Sequence, residues 1–128
     1  MDFSHFDTSQ VTTMYAMFRN CKRLKSLNLS SFDTSKVSGD MHNMFWDCSA
    51  LEYLDLSSFN TSQFTGFDHF FYNCSSLLSL NLSNFDTSKV TTFDYMFYGC
   101  KNLTSLNLSN FDTSSLKTLS NTFKVVNH

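Results

Sequence analysis

The stretch "LNLSSFDTS" at residues 27–35 recurs three more times in this chain of 128 residues. It returns as "LDLSSFNTS" at 54–62 and as "LNLSNFDTS" at both 80–88 and 106–114. The phenylalanine of this stretch, Phe32, recurs at a period of about 26 residues. The equivalent residues are Phe6, Phe59, Phe85 and Phe111. Repetition at this period indicates an architecture of stacked units, because a single unit cannot bury its own apolar face.

Two different apolar patterns alternate within each unit. Around Leu27 and Leu29 apolar and polar residues alternate, which predicts a short strand. The other half places apolar residues three or four positions apart, which predicts one face of a helix or a loose 3₁₀ turn. Its members in the first unit are Val11, Met14, Met17, Phe18 and Cys21. Packing in a core explains these Met and Phe residues better than a cofactor site does.

These patterns predict an α/β solenoid made of about five coils of 26 residues, with a parallel sheet along one side. The whole chain, residues 1–128, is expected to form this one domain, with units starting near residues 6, 32, 59, 85 and 111 and partial units at both ends. In the last partial unit Val126 stands at the cysteine position. The unit that starts at Phe32 is longer than the others, and we expect a small bulge near Gly39, where its extra residue lies.

Composition excludes several classes of function. The net charge is -2, so charge alone gives no reason to expect a nucleic-acid partner, and the short basic run from Arg19 to Lys25 is too small to change this. No apolar run approaches the ~20 residues that cross a bilayer, and the first residues lack the pattern of a signal peptide. We therefore expect either a protein that stays inside the cell or a fragment of a longer chain.

The first column of equivalent residues is acidic and follows the recurring phenylalanine. It consists of Asp7, Asp33, Asn60, Asp86 and Asp112. Equal charges about 5 Å apart repel each other, so each carboxylate needs a local partner, which the backbone N–H groups of the following Thr-Ser supply in an Asx turn or cap. A calcium site is the alternative, but glycine-rich and EF-hand loops are absent from the sequence. We expect structural caps and no metal.

The second column consists of Cys21, Cys48, Cys74 and Cys100. Three coil steps would separate the first thiol from the last by ~14 Å, too far for one zinc ion. Disulfides between neighbouring units are possible by distance but require the parallel side chains to turn towards each other. We expect buried free thiols that act as small apolar side chains and react only after denaturation.

Other columns suggest where a partner could bind. One column reads Arg19, Trp46, Tyr72, Tyr98 and Lys124. Trp, Tyr and Arg are the residues that most often dominate binding energy, and an aromatic row could hold a glycan or a peptide. The second unit also departs from the repeat by carrying Tyr53 and Asp55 where the other units have Ser and Asn. Trp46, Tyr53, Asp55, Tyr72 and Tyr98 are therefore the candidate partner-binding residues. The alternative is that these rings only cover the edge of the core.

No catalytic residue or cofactor site is predicted. The histidines fall at different phases of the repeat, so none is expected to meet a cysteine. The sequence has no Gly-x-Ser-x-Gly elbow and no glycine-rich phosphate loop. We therefore expect that the protein is not an enzyme and holds no cofactor.

The segments "LTSLNLSNFDTSSLKTL" and "FDTSKVTTFDYMFYGCKNLTSLNLSNFDTS" resemble the BspA-like class of leucine-rich repeats. This class has units of ~26 residues and occurs in bacterial surface proteins and lipoproteins and in some parasitic protists. The resemblance covers essentially the whole chain. It implies a right-handed solenoid, a location at the cell surface or outside the cell, and adhesion to host matrix proteins or other microbes.

Two functions remain open at this point. The first is a surface recognition module whose flanks bind a protein or glycan on a host or neighbouring cell. The second is a structural spacer or a self-assembling segment that associates end to end and has no dedicated ligand.

Overall fold

The computed structural model describes residues 3–124, whose backbone is mostly non-helical and consists of short parallel strands connected by turns. The strands are β1 (Ser26–Asn28), β2 (Gly39–Asp40), β3 (Tyr53–Asp55), β4 (Phe64–Gly66), β5 (Ser79–Leu80) and β6 (Ser105–Leu106). The fold is therefore repeat-like and rich in β structure. Val126 and the end of the last expected unit lie outside the described residues.

Strands that are one repeat period apart pair with each other. β1 pairs with β3, which places Leu27 opposite Leu54, and β5 pairs with β6, which places Leu80 opposite Leu106. β3 and β5 also contact each other. At the end of each of these strands, or one residue beyond it, an Asn or Asp side chain accepts a backbone N–H two residues later, as Asn28 does from Ser30 at 3.0 Å. Such Asx turns favour a change of chain direction at these points.

A second set of parallel pairings lies in a different part of the unit. β2 pairs with β4, and single bridges continue this set from Gly66 to Thr92 and from Thr92 to Thr118. The register shifts between Gly39, whose φ is +88°, and Asp40, so an irregularity lies where the longer unit was expected to have one, although the residue that this pairing skips is Thr65 of β4. The single expected sheet is thus three separate two-stranded sheets within the described residues.

The half of each unit that contains Met, Phe and Cys folds as consecutive turns. Met17 N–H donates to Met14 C=O at 3.2 Å, whereas Phe18 N–H donates to Met44 C=O of the next unit at 2.9 Å. The same alternation between a turn bond and a bond to the next unit recurs at Phe70 and Phe71. Alternate N–H groups are thus satisfied locally and by the neighbouring unit.

The α component of the expected α/β class is wrong for residues 3–124, which contain no helix. Two residues in most units have positive φ, and these residues prevent a right-handed helix from forming. One column is Ala16, Asn43, His69, Tyr95 and Asn121, and the other is Asn20, Asp47, Asn73 and Gly99. They stand at the third position of turns such as Phe18–Cys21, where a type II turn requires positive φ.

The core runs through all described units. A column of phenylalanine rings stacks with centroid separations of 5.6 Å for Phe18–Phe45, 5.7 Å for Phe45–Phe71 and 5.6 Å for Phe71–Phe97, and Phe123 continues it. These rings lie nearly parallel and within the separation typical of offset aromatic pairs. Buried leucines from the strand half complete the core.

Candidate functional site

The acidic column forms Asx turns in every unit. The side-chain Oδ1 of Asp33 accepts the N–H of Ser35 at 2.9 Å, and Asn60 makes the same bond to Ser62 at 3.1 Å. Asp7, Asp86 and Asp112 accept the corresponding serine N–H at 2.8–2.9 Å. These hydrogen bonds lower the pKa of the four Asp carboxyls. The structure thus gives each member of this column a local partner.

The threonine that follows each acidic residue connects one unit to the next. Thr34 is buried, and its Oγ1 donates to Asn60 C=O at 3.0 Å and accepts Asn60 N–H at 2.7 Å. Thr61 does the same with Asp86, and Thr8 and Thr87 repeat the arrangement. Sequence analysis did not predict this role, although the same Thr occurs in every repeated segment and could have indicated it.

The two lysines that follow the acidic column do not form ion pairs with it. Lys36 Nζ donates to Gln10 Oε1 at 2.7 Å, and Lys89 Nζ donates to Gln63 Oε1 at 2.8 Å. Gln and Lys thus alternate along one column, so two Lys side chains never lie on adjacent units there.

Three of the four cysteines lie in the core. Cys48, Cys74 and Cys100 are buried, and the thiol of each lies 3.0–3.1 Å from the carbonyl of the phenylalanine in the preceding unit. Burial raises the pKa of Cys48 and of Cys100 to about 12. Cys21 differs because it is only half-buried. The arrangement disfavours thiolate formation in the three buried residues.

The structure brings Trp46, Tyr72 and Tyr98 together as one aromatic row. The ring centroids of Trp46 and Tyr72 lie 4.7 Å apart, and those of Tyr72 and Tyr98 lie 4.8 Å apart with nearly parallel planes. The Arg19 guanidinium lies 4.7 Å from the Trp46 centroid, within cation–π distance. All three rings are half-buried.

Two further rings join the aromatic row, and sequence analysis did not include them. His69 stacks on Trp46 at 4.9 Å and on Tyr95 at 4.8 Å. Both residues belong to the first positive-φ column, and aligning that column would have identified them. Burial lowers the pKa of His69, which favours the neutral imidazole.

Tyr53 and Asp55 are not part of the aromatic row but lie on β3. They line a shallow open groove of ≈ 590 Å³ together with residues of the strand half such as Asn28 and Asn81. Tyr53 is 60% exposed and has no aromatic neighbour among the described residues. Asp55 Oδ1 accepts the N–H of Ser57 at 2.9 Å, and hydrogen bonding to Ser57 lowers the pKa of this carboxyl. The candidate residues therefore divide between two surfaces.

A separate acidic group surrounds Asp68. The Thr92 hydroxyl donates to this carboxylate, while Asp94 Oδ1 accepts the N–H of Ser120 at 2.6 Å. Desolvation and the nearby Asp40 and Asp94 raise the pKa of Asp68. Residues 3–124 nevertheless contain no group of three or more His, Cys, Asp or Glu side chains arranged to hold a metal ion.

No helix in the described part of the chain is long and apolar enough to cross a membrane.

Comparison with protein families gives one match. The model of the family described as "Mycoplasma protein of unknown function, DUF285" matches residues 1–105 and, in a second overlapping alignment, residues 40–128. Overlapping matches are typical of internally repeated sequences. Neither the curated proteins nor the solved structures gave a match.

Proposed function

The chain belongs to the DUF285 family, and on that premise we propose that it is a non-enzymatic recognition module for adhesion, displayed at the cell surface or secreted. Its partner is a protein or a carbohydrate on a host or neighbouring cell. Within the family we further propose a BspA-like leucine-rich-repeat solenoid, right-handed and built of about five coils. The pairing of Leu27 with Leu54 and of Leu80 with Leu106 supports this stacking.

One observation carries the recognition function. Tyr53 exposes 60% of its side chain in a column where the other units have serine, and it contacts no other ring of residues 3–124. A large exposed aromatic side chain that neither fills the core nor stacks on a neighbour contributes little to folding. Tyrosine is instead enriched among the residues that dominate binding interfaces.

The absence of enzymatic activity in this proposal rests on how the reactive side chains are used. Cys48, Cys74 and Cys100 lie in the core with raised pKa values, so their thiols are poor nucleophiles at neutral pH. Asp33 and its equivalents hold backbone N–H groups in turns and therefore serve the backbone.

The proposal is tested by binding and stability measurements on the same variants. Wild-type protein is applied to immobilised extracellular-matrix proteins and to a glycan array, and Trp46→Ala, Tyr53→Ser and Tyr72→Ala variants follow on every probe that binds. We expect at least one of these variants to bind about tenfold more weakly. Thermal unfolding serves as the control, since Trp46 and Tyr72 also pack on each other.

Three results would contradict the recognition function: no probe binds, all variants bind as the wild type does, or binding falls only in proportion to lost thermal stability. The proposed location is tested separately by protease treatment of intact cells that make the full-length gene product. A surface protein is then degraded while cytoplasmic controls survive.

A structural spacer or self-assembling segment is the second candidate. Its support is that apolar side chains at both ends of the described chain are exposed, namely Phe6 and Met17 in the first unit and Leu119 and Phe123 in the last. End-to-end association predicts that solution scattering shows particles that lengthen with concentration. Leu119→Ser combined with Phe123→Ser would then restore a monomer.

A further inference from the structure

The aromatic row and the groove beside Tyr53 differ in how much aromatic ring surface they leave free for a ligand. In the aromatic row Tyr72 stacks on Tyr98 and packs at a tilt of 38° against Trp46, while His69 stacks on Trp46 and Arg19 lies over the same ring. The aromatic row therefore leaves little free ring surface on which a ligand could stack. Tyr53 is 60% exposed and stacks on no ring among residues 3–124, so most of its surface remains available above the strands.

The groove beside Tyr53 is lined by fixed polar groups. Asn28, Asp55 and Asn81 occupy one column, and each Oδ1 accepts the N–H of a serine two residues later at 2.9–3.0 Å. This bond orients the side chain, so the amide NH₂ groups of both asparagines stay in place to donate. A carboxylate has about four acceptor positions, so Asp55 can accept further hydrogen bonds.

The spacing and the charge of these groups narrow the ligand class. Adjacent parallel strands lie about 4.8 Å apart, a distance comparable to one pyranose ring. Asp55 is the one charged side chain among the described residues that line the groove. An anionic sugar would be repelled by this carboxylate, whereas the vicinal hydroxyls of a neutral sugar can donate to it.

An extended peptide fits the groove poorly. Strand addition needs unpaired backbone groups at a sheet edge, but the backbone here is used between units. On one side Glu52 N–H donates to Lys25 C=O at 2.8 Å and β3 pairs with β1 along its whole length. On the other side β5 of the next unit contacts β3, and Leu78 N–H donates to Glu52 C=O at 3.4 Å.

We propose that the groove on the strand half, centred on Tyr53 and Asp55, binds a neutral carbohydrate. The sugar ring packs its C–H face on Tyr53, and two of its hydroxyls donate to the Asp55 carboxylate. The amides of Asn28 and Asn81, which lie on the units on either side of Asp55, donate to further oxygens of the sugar. This inference rests on the recognition function proposed above and assigns it a ligand class and a site.

The test uses substitutions that install residues from other units of the same protein. Tyr53→Ser introduces the residue found at 26, 79 and 105, and Asp55→Asn introduces the residue found at 28, 81 and 107. Both variants should fold normally because these residues already occupy equivalent positions. Leu78→Thr is the control, since it introduces the residue found at the equivalent position 104. Leu78 is exposed and does not line the groove.

The full chain is applied to an array of neutral and anionic glycans, and the neutral glycans that bind are titrated by calorimetry. We expect Tyr53→Ser to weaken binding about tenfold and Asp55→Asn severalfold, while Leu78→Thr binds as the wild type does. Binding of anionic glycans alone, or neutral-glycan binding that survives Tyr53→Ser, overturns the proposal.

The outcome separates this inference from the recognition function. If matrix proteins bind and no glycan does, or if binding depends on Trp46 and Tyr72 but not on Tyr53, the carbohydrate groove is wrong and the recognition function stands. If no matrix protein and no glycan binds, both proposals fail.

Discussion

The turn half of each unit, with its Met, Phe and Cys, and the strand half, with its Leu, differ in how much of their surface the fold uses. In the turn half the Phe45 and Phe71 rings are completely buried, and alternate N–H groups such as that of Phe18 bind the next unit. In the strand half the paired segments are only two or three residues long, and their outward side chains are exposed. Structural requirements therefore leave the strand half freer to carry residues for recognition.

The largest expected effect is at the centre of the turn half. Phe71→Ala removes a fully buried ring that stacks on both Phe45 and Phe97. We expect the free energy of unfolding to fall by about 3–5 kcal/mol, measured by urea unfolding. On the strand half Tyr53→Ser should change it by less than about 0.5 kcal/mol. Similar losses for the two variants would remove the distinction between the halves.

The cysteines provide a second test of burial in the turn half. In native protein a thiol reagent should label Cys21, which is half-buried, while Cys48, Cys74 and Cys100 should react only after unfolding. Thiol counts before and after denaturation measure this, and Cys21→Ser should abolish the native signal. Labelling of all four thiols in native protein, or the absence of free thiols in unfolded and unreduced protein, would contradict it.

The buried threonines test the connections between units. Thr61→Val leaves the backbone N–H and C=O of Asp86 without their hydroxyl partner, which should lower the free energy of unfolding by about 1–3 kcal/mol. Thr61→Ser keeps the hydroxyl and should cost less. Thr65→Val, at an exposed position of the neighbouring strand β4, is the control. Equal effects of the Val and Ser substitutions at Thr61 would show that only packing matters.

The positive φ angles in the turns predict that two substitutions change the melting temperature in opposite directions. Asn20 has a φ of +65° and Ala16 one of +52°, a region that costs an L-residue such as alanine about 1–2 kcal/mol. Asn20→Ala should therefore lower the melting temperature, and Ala16→Gly should raise it. A change in the same direction for both variants would argue against the left-handed conformation.

The smallest expected effect is the pH dependence of the acidic column. The pKa values of Asp7, Asp33, Asp86 and Asp112 are lowered in the folded chain by hydrogen bonds to serine. Their stabilisation is present above the pKa of the unfolded chain, about 3.9, and is lost as the pH falls through the folded values. Asp68 has a raised pKa and acts oppositely, since its contribution is lost as the pH rises.

Melting temperatures between pH 2 and 6 measure this dependence. The magnitude should be small, because these carboxylates are exposed and solvent screens them. Asp33→Asn keeps the turn bond, as Asn60 does at its own position, and should flatten the acid limb of the curve slightly. A steeper curve for this variant would contradict the assigned role.

Much of the fold was predictable from local patterns. The repeat period, the burial of Leu27 and Phe32, and an irregularity at Gly39 all follow from residue type and spacing, which act over short stretches of chain. That the turn half of residues 3–124 forms turns and no helix was not predictable in the same way. Spacings of three and four residues suit both a helix and a chain of turns, and the Asn, Asp and Gly column at positions 20, 47, 73 and 99 was the signal for turns.

The candidate site could be predicted only in part. The sequence identified Trp46, Tyr53, Asp55, Tyr72 and Tyr98 because they depart from the repeat or form an aromatic column. It did not separate the row from the groove, nor did it include His69 and Tyr95. Which rings stack on each other depends on contacts between units, and no single unit contains that information.

The sequence by itself determined the repeat period, the apolar residues of each unit and the Asx turns, because each depends on residues that are close along the chain. Only the tertiary structure decided that alternate N–H groups bind the next unit and that the Tyr72 ring packs between Trp46 and Tyr98 while Tyr53 is exposed and contacts no ring among residues 3–124. The reason is physical: the partners of these groups lie about one period away, and only stacking brings them into contact.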